Sequence, residues 1–111
     1  MQLWEREKRK VKVYISGKIT GLPKRVYWRN FSKAESKLIE QGFTTVNPVR
    51  VNGQLPTDTT YEQYMEVSKV LLSFCDAIYL MFNWKDSPGA IRERDWALEM
   101  GKDIIMETHE E

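Results

Sequence analysis

The spacing of apolar positions changes several times along the chain. "VKVYIS", Val11 to Ser16, alternates and is rich in β-branched and aromatic residues, which predicts a first strand. It runs into "GKITGLP", where Gly17, Gly21 and Pro23 impose a turn. From about Arg25 to Gln41 the period becomes helical, with Trp28, Phe31, Ala34, Leu38 and Ile39 recurring and Gly42 as the stop. "FTTVN", Phe43 to Asn47, predicts a second strand closed by Pro48. The polar, turn-rich stretch from Val49 to Thr60 predicts the longest loop, of a kind that often serves as a lid or binding loop.

A second helix is expected from near Thr60 to near Phe74. Tyr61, Tyr64, Met65, Ser68 and Leu72 fall in one stripe of it, so the small polar Ser68 faces inward. "AIYLMF", Ala77 to Phe82, is a continuous apolar run suited to a central parallel strand covered on both faces. A third helix is expected from Ser87 to near Gly101, and "DIIM", Asp103 to Met106, supplies the last strand. Strands alternating with helices imply right-handed crossovers and an α/β fold. The expectation is a flavodoxin-like three-layer sandwich on a small parallel sheet of order 2-1-3-4. Ligands in such sheets sit beyond the carboxyl ends of the strands, where the order reverses. That rule gathers "SGKITG", the Asn47 loop and "NWKDSPG".

Composition narrows the picture. The 111 residues suit one domain, expected over 11–106, with a charged segment at 1–10 and a polar tail at 107–111. Seventeen basic against sixteen acidic residues leave a net charge of +1, so no global field recruits a nucleic-acid polymer or an anionic membrane. The expected partner is a small molecule or a protein. Cys75 is a lone cysteine, no apolar run reaches membrane-spanning length, and "MQLWEREKRK" lacks a signal-peptide core, which makes the cytoplasm the expected compartment. The run Lys8, Arg9, Lys10, Lys12 reads as a solvated segment interrupted by Glu5 and Glu7, and His109 as part of the tail. There is no phosphate loop, no GxGxxG and no His/Cys cluster, so neither a metal nor a cofactor is expected.

The stretch "DSPGAIRERDWALEMGK" carries the candidate chemistry. Ser87 can cap free amides, Pro88 suits a first helical position, and Gly89 admits close approach of a ligand. A helix start of this kind is also an anion site. Ala90, Ile91, Ala97, Leu98 and Gly101 mark the expected sheet-facing side. Glu93 falls at its edge, where a carboxylate snorkels outward, is paired, or serves chemistry. Arg94 falls near its centre and calls for a carboxylate partner, with Asp76 a candidate.

Together, "VYISGKITG", "CDAIYLMFNW" and "DSPGAIRERDWALEMGK" resemble a family of short, functionally unassigned domains related to nucleoside 2-deoxyribosyltransferases and 2'-deoxynucleoside 5'-phosphate N-hydrolases, over about Val11 to Ile105. In those enzymes a strand-one tyrosine precedes a glycine turn, and a catalytic glutamate stands four residues after a glycine and four before an alanine. Tyr14 and Gly17 match the first element; Gly89, Glu93 and Ala97 match the second. The resemblance implies that Glu93 attacks the anomeric carbon of the sugar, with Tyr14 positioning it. Gly17, Lys18, Ile19, Asn47, Ser68, Asp86, Ser87 and Gly89 would then contact substrate. Ser87 stands where the nucleotide hydrolases hold the 5'-phosphate with a serine, and "GKITG" is similar to their turn. Ser68 replaces an aspartate that contacts the base or assists its departure in active relatives. Cleavage or transfer of the N-glycosidic bond of a (deoxy)nucleoside 5'-phosphate is the implied activity; a catalytically weak nucleotide-binding module on the same fold is the alternative. Relatives commonly assemble, so a homo-oligomer is also implied.

Overall fold

The computed structural model describes residues 11–108. The charged segment at 1–10, Trp4 and His109 lie outside the described residues. Four strands form one sheet: β1 (Lys12–Ser16), β2 (Thr44–Val46), β3 (Ala77–Leu80) and β4 (Asp103–Met106). All pairings are parallel, in the order β2-β1-β3-β4. This is the expected α/β arrangement.

Side-chain alternation along β1 divides the core into two layers. Val13 and Ile15 face one way and pack with Phe31, Ala34 and Leu38 of α1 (Lys24–Glu40). Tyr14 faces the other way, toward Leu72 of α3 (Tyr61–Ser73) and Ala97 of α4 (Pro88–Glu99). The same parity puts Ser16, only 1% exposed, on the layer of Tyr14. β3 is buried throughout, as a strand covered on both faces must be. It stops at Leu80, and Phe82, expected inside the strand, is exposed instead.

Local chemistry sets the helix starts. Thr60 and Gln63 form a reciprocal capping box at α3, with Gln63 N donating to Thr60 Oγ1 at 3.1 Å and Thr60 N donating to Gln63 Oε1 at 2.9 Å. Ser87 Oγ accepts from Ala90 N at 3.1 Å and caps α4, with Pro88 in its first turn. Gly101, at φ 74°, closes that helix in the left-handed region.

Three expectations are corrected. The segment from Val49 to Thr60 is not all loop: α2 (Pro48–Asn52) occupies its start, because Asn47 Oδ1 accepts from Val49 N at 3.1 Å and Pro48 is already shaped for a first helical turn. A single 3-10 turn, Trp84–Asp86, precedes α4. The buried face of α4 is Ala90, Glu93 and Ala97, while Leu98 is 54% exposed. Arg94 therefore does not pair with Asp76. Asp76 Oδ2 accepts from Lys12 N at 2.9 Å, and the Arg94 guanidinium lies 5.2 Å from the centre of the Trp84 ring. Its buried Nε is 3.3 Å from Asp95 Oδ1 but is not aligned for a hydrogen bond.

Candidate functional site

Beyond the carboxyl end of β1 lies a cleft of about 640 Å³, within the range of small-molecule sites. Its walls come from the turn after β1 and from all four helices. Glu93 forms part of its wall although the residue is only 7% exposed. One carboxylate oxygen, Oε1, accepts from Ser16 Oγ at 2.6 Å; the other, Oε2, accepts from Tyr14 OH at 2.7 Å. Ser68, buried on the facing side of α3, is a further hydroxyl partner to both Glu93 and Tyr14.

These contacts set the electrostatics. Burial raises the pKa of Glu93, and the hydrogen bonds from Ser16, Tyr14 and Ser68 oppose that shift by favouring the ionised form, with a smaller contribution from the charge of Arg92. Burial first, and then the Glu93 charge, push the Tyr14 phenol well above its ordinary value, so Tyr14 stays a donor. The site thus holds a carboxylate with hydroxyl donors and no salt bridge to it among the described residues.

The remaining candidate residues divide by position. Gly17, Ile19, Ser68, Asp86, Ser87 and Gly89 line the cleft with Tyr14 and Glu93. At Gly17 space is tight: a Cβ there would displace Met81 Cε, the movable end of its side chain, and come within 3.2 Å of Asn83 Oδ1. Asn83 Oδ1 accepts from Lys18 N at 3.0 Å, which ties the turn after β1 to the end of β3. Lys18 and Asn47 are not brought to the cleft wall. Asn47 is 5% exposed and spends its side chain on the α2 cap and on Glu35 Oε1 at 3.5 Å.

Ser16 is the contact residue that sequence reasoning missed. The signal was available, since it stands two residues after Tyr14 on a strand and so shares its face. Trp28, Tyr61 and Tyr64 add aromatic walls, and Lys24 adds an ammonium at the start of α1. Gly89 N has no acceptor within its own helix by position, which leaves a donor beside Ser87 at the positive end of α4. No group of three or more His, Cys, Asp or Glu side chains is placed to hold a metal among the described residues, and no helix there is long and apolar enough to cross a membrane.

A family described as a domain of unknown function, DUF4406, matches residues 11–106. The chain belongs to that family. Among curated proteins none matches it. A solved structure of a 2-deoxyribosyltransferase from Leishmania mexicana is similar in fold, with a TM-score of 0.62 and 16% identity over 86% of this chain. The aligned part spans 63% of that enzyme's own chain.

Proposed function

We propose that the cleft binds a (deoxy)nucleoside 5'-phosphate and that Glu93 cleaves or transfers its N-glycosidic bond. The observation that carries this reading is the Glu93 carboxylate, buried at the cleft wall and oriented by Tyr14 and Ser16. A carboxylate so held has the attributes of a nucleophile in glycosyl chemistry: it stabilises an oxocarbenium-like transition state and forms a glycosyl ester that water or an acceptor base then resolves. Lys24, the Ser87 hydroxyl and the Gly89 amide supply cationic and donor groups suited to a phosphate. The fold shared with a deoxyribosyltransferase agrees with this assignment. Assembly into a homo-oligomer forms part of the same reading.

Incubation with deoxynucleoside 5'-monophosphates, followed by mass spectrometry of free base, is the test. Wild type is expected to release base, and Glu93→Ala to lower the rate by several orders of magnitude. Equal rates with and without the carboxylate would remove the nucleophile assignment.

Ser68 favours a second reading, a module that binds nucleotides without turning them over, because its hydroxyl is no general acid near neutral pH. Calorimetric binding with the ligand recovered intact would favour it over the enzyme.

A further inference from the structure

Breaking an N-glycosidic bond leaves an electron pair on the departing ring nitrogen. A neutral purine or pyrimidine then needs a proton from an acid, whereas a ring that is already cationic leaves as a neutral molecule without one. The cleft is poorly equipped for the first case. Its carboxyl groups among the described residues are Glu93 and Asp86, and Asp86 is exposed at the rim beside the start of α4. Ser68 faces the nucleophile with a hydroxyl, and Tyr14, already donating to Glu93, is held a weak acid by its burial. The chain's one imidazole, His109, lies outside the described residues.

The same walls suit a cation. Tyr27 and Trp28 on α1 and Tyr61 and Tyr64 on α3 line the same cleft as Glu93, and aromatic faces attract cationic rings. Two of these rings already do so: the Arg50 guanidinium stands 5.9 Å from the Trp28 centroid, and that of Arg92 stands 5.8 Å from the Tyr61 centroid. Both guanidiniums are themselves paired, Arg50 with Glu35 at 2.9 Å and Arg92 with Glu62 at 3.1 Å. Glu93, held only by hydroxyls, keeps its negative charge available to the ligand.

Resting on the glycosidic reading above, we propose that the preferred substrate is a nucleoside 5'-phosphate whose base is cationic at the glycosidic ring, either an N-pyridinium nucleotide or an N7-alkylated purine nucleotide. In the first step a Glu93 oxygen bonds to the anomeric carbon as the C–N bond breaks, and the C–N pair neutralises the ring. In the second, a water oxygen bonds to the anomeric carbon, the ester C–O pair returns to Glu93, and the water's proton passes to solvent. Neither step draws a proton from the protein.

The test compares 2'-deoxyguanosine 5'-monophosphate with its N7-methyl derivative, which adds the ring charge, and includes nicotinamide mononucleotide as the pyridinium arm. Base release is followed by chromatography for wild type, Glu93→Ala and Ser68→Asp. A site that supplies no acid should favour the N7-methyl substrate by at least about 10²-fold in kcat/KM, the low end of what general acid catalysis is worth. On nicotinamide mononucleotide, whose ring charge does not titrate, the rate should rise with pH as Glu93 ionises among Tyr14 of β1, Ser68 of α3 and Arg92 of α4, and then stay level. Ser68→Asp should narrow the ratio by assisting the neutral base. The faster of the two cationic arms identifies the source of the charge. Similar rates for neutral and methylated substrates, or a bell-shaped profile with an alkaline limb on the pyridinium arm, would overturn this inference and leave the nucleophile in place. If Ser68→Asp fails to fold by circular dichroism, the wild-type ratio and profile decide. No release from any substrate, with wild type equal to Glu93→Ala, overturns the glycosidic reading as well.

Discussion

At the scale of single residues, Glu93 sets a conflict between stability and chemistry. Burying a carboxylate costs free energy, and the hydroxyls of Ser16, Tyr14 and Ser68 offset only part of that cost, since its pKa still ends up raised. A carboxyl whose folded pKa lies above its unfolded value of 4.5 stabilises the fold fully below that pH and loses the contribution as pH rises through the raised pKa. The neutral isostere Glu93→Gln escapes this loss. It should therefore melt at a higher temperature than wild type at pH 8, with the gap shrinking as pH falls toward 4.5, as read by thermal denaturation across that range. A lower melting temperature for Glu93→Gln at pH 8 would show that the hydroxyl bonds outweigh the burial. The position of Glu93 was only half legible in the sequence. Counting Ile91 and Leu98 as core rotated the expected face of α4 toward Arg94 by about 60° at 100° per residue. Hydrophobicity marks what burial would gain, and it is silent about three hydroxyls converging from two other elements. Ser16 went unseen for the same reason.

Among elements, α2 gives Asn47 work that its place at the end of a strand did not announce. Asn47 was expected to contact substrate, being at the carboxyl end of a strand. In the structure its carbonyl oxygen caps α2, and Arg50 in that helix makes a forked pair with Glu35 on α1, through Nε at 3.1 and 3.2 Å and a terminal nitrogen at 2.9 Å. The cap and the pair fix α2 against α1, and α2 presents Asn52 to the cleft. Loss of an N-cap typically costs about 1 kcal/mol. Asn47→Ala should show about that loss in urea denaturation, and Asn47→Ser, which keeps an oxygen for Val49 N, should recover much of it. Equal losses for the two variants would mean that the side chain acts other than as a cap. The boundaries of α3 and α4 were legible because their starts are written locally, in a Thr-x-x-Gln box and a Ser-Pro pair. α2 was harder, since Pro48 ends a strand and begins a helix with equal ease.

For the whole molecule, strand order followed from chain logic, since short αβ connections and right-handed crossovers leave few arrangements for four parallel strands. What that logic does not reach is the outer surface. Trp84 and Trp96 are covered by cations: Arg94 over the first, and Lys69 and Arg92 over the second, each at 5.2 Å from a ring centre. The exposed apolar side chains lie elsewhere. Val70 on the outside of α3 and Phe74 at its C-terminal cap, 55% and 62% exposed, stand one turn apart, and Leu98 is exposed on α4, the helix packed against α3. Exposed large side chains one turn apart gain by leaving water together, and a stable interface needs on the order of 1,000 Å² in total. If assembly uses this face, wild type should sediment at a multiple of 13.1 kDa at tens of micromolar. The double variant Val70→Glu, Phe74→Glu should then sediment at 13.1 kDa with its circular dichroism unchanged, because neither side chain belongs to either core layer. A wild-type mass of one chain would remove the oligomer from the reading. A variant that stays assembled would move the interface to another face and leave the cleft, which opens at the carboxyl end of β1, unaffected by that choice.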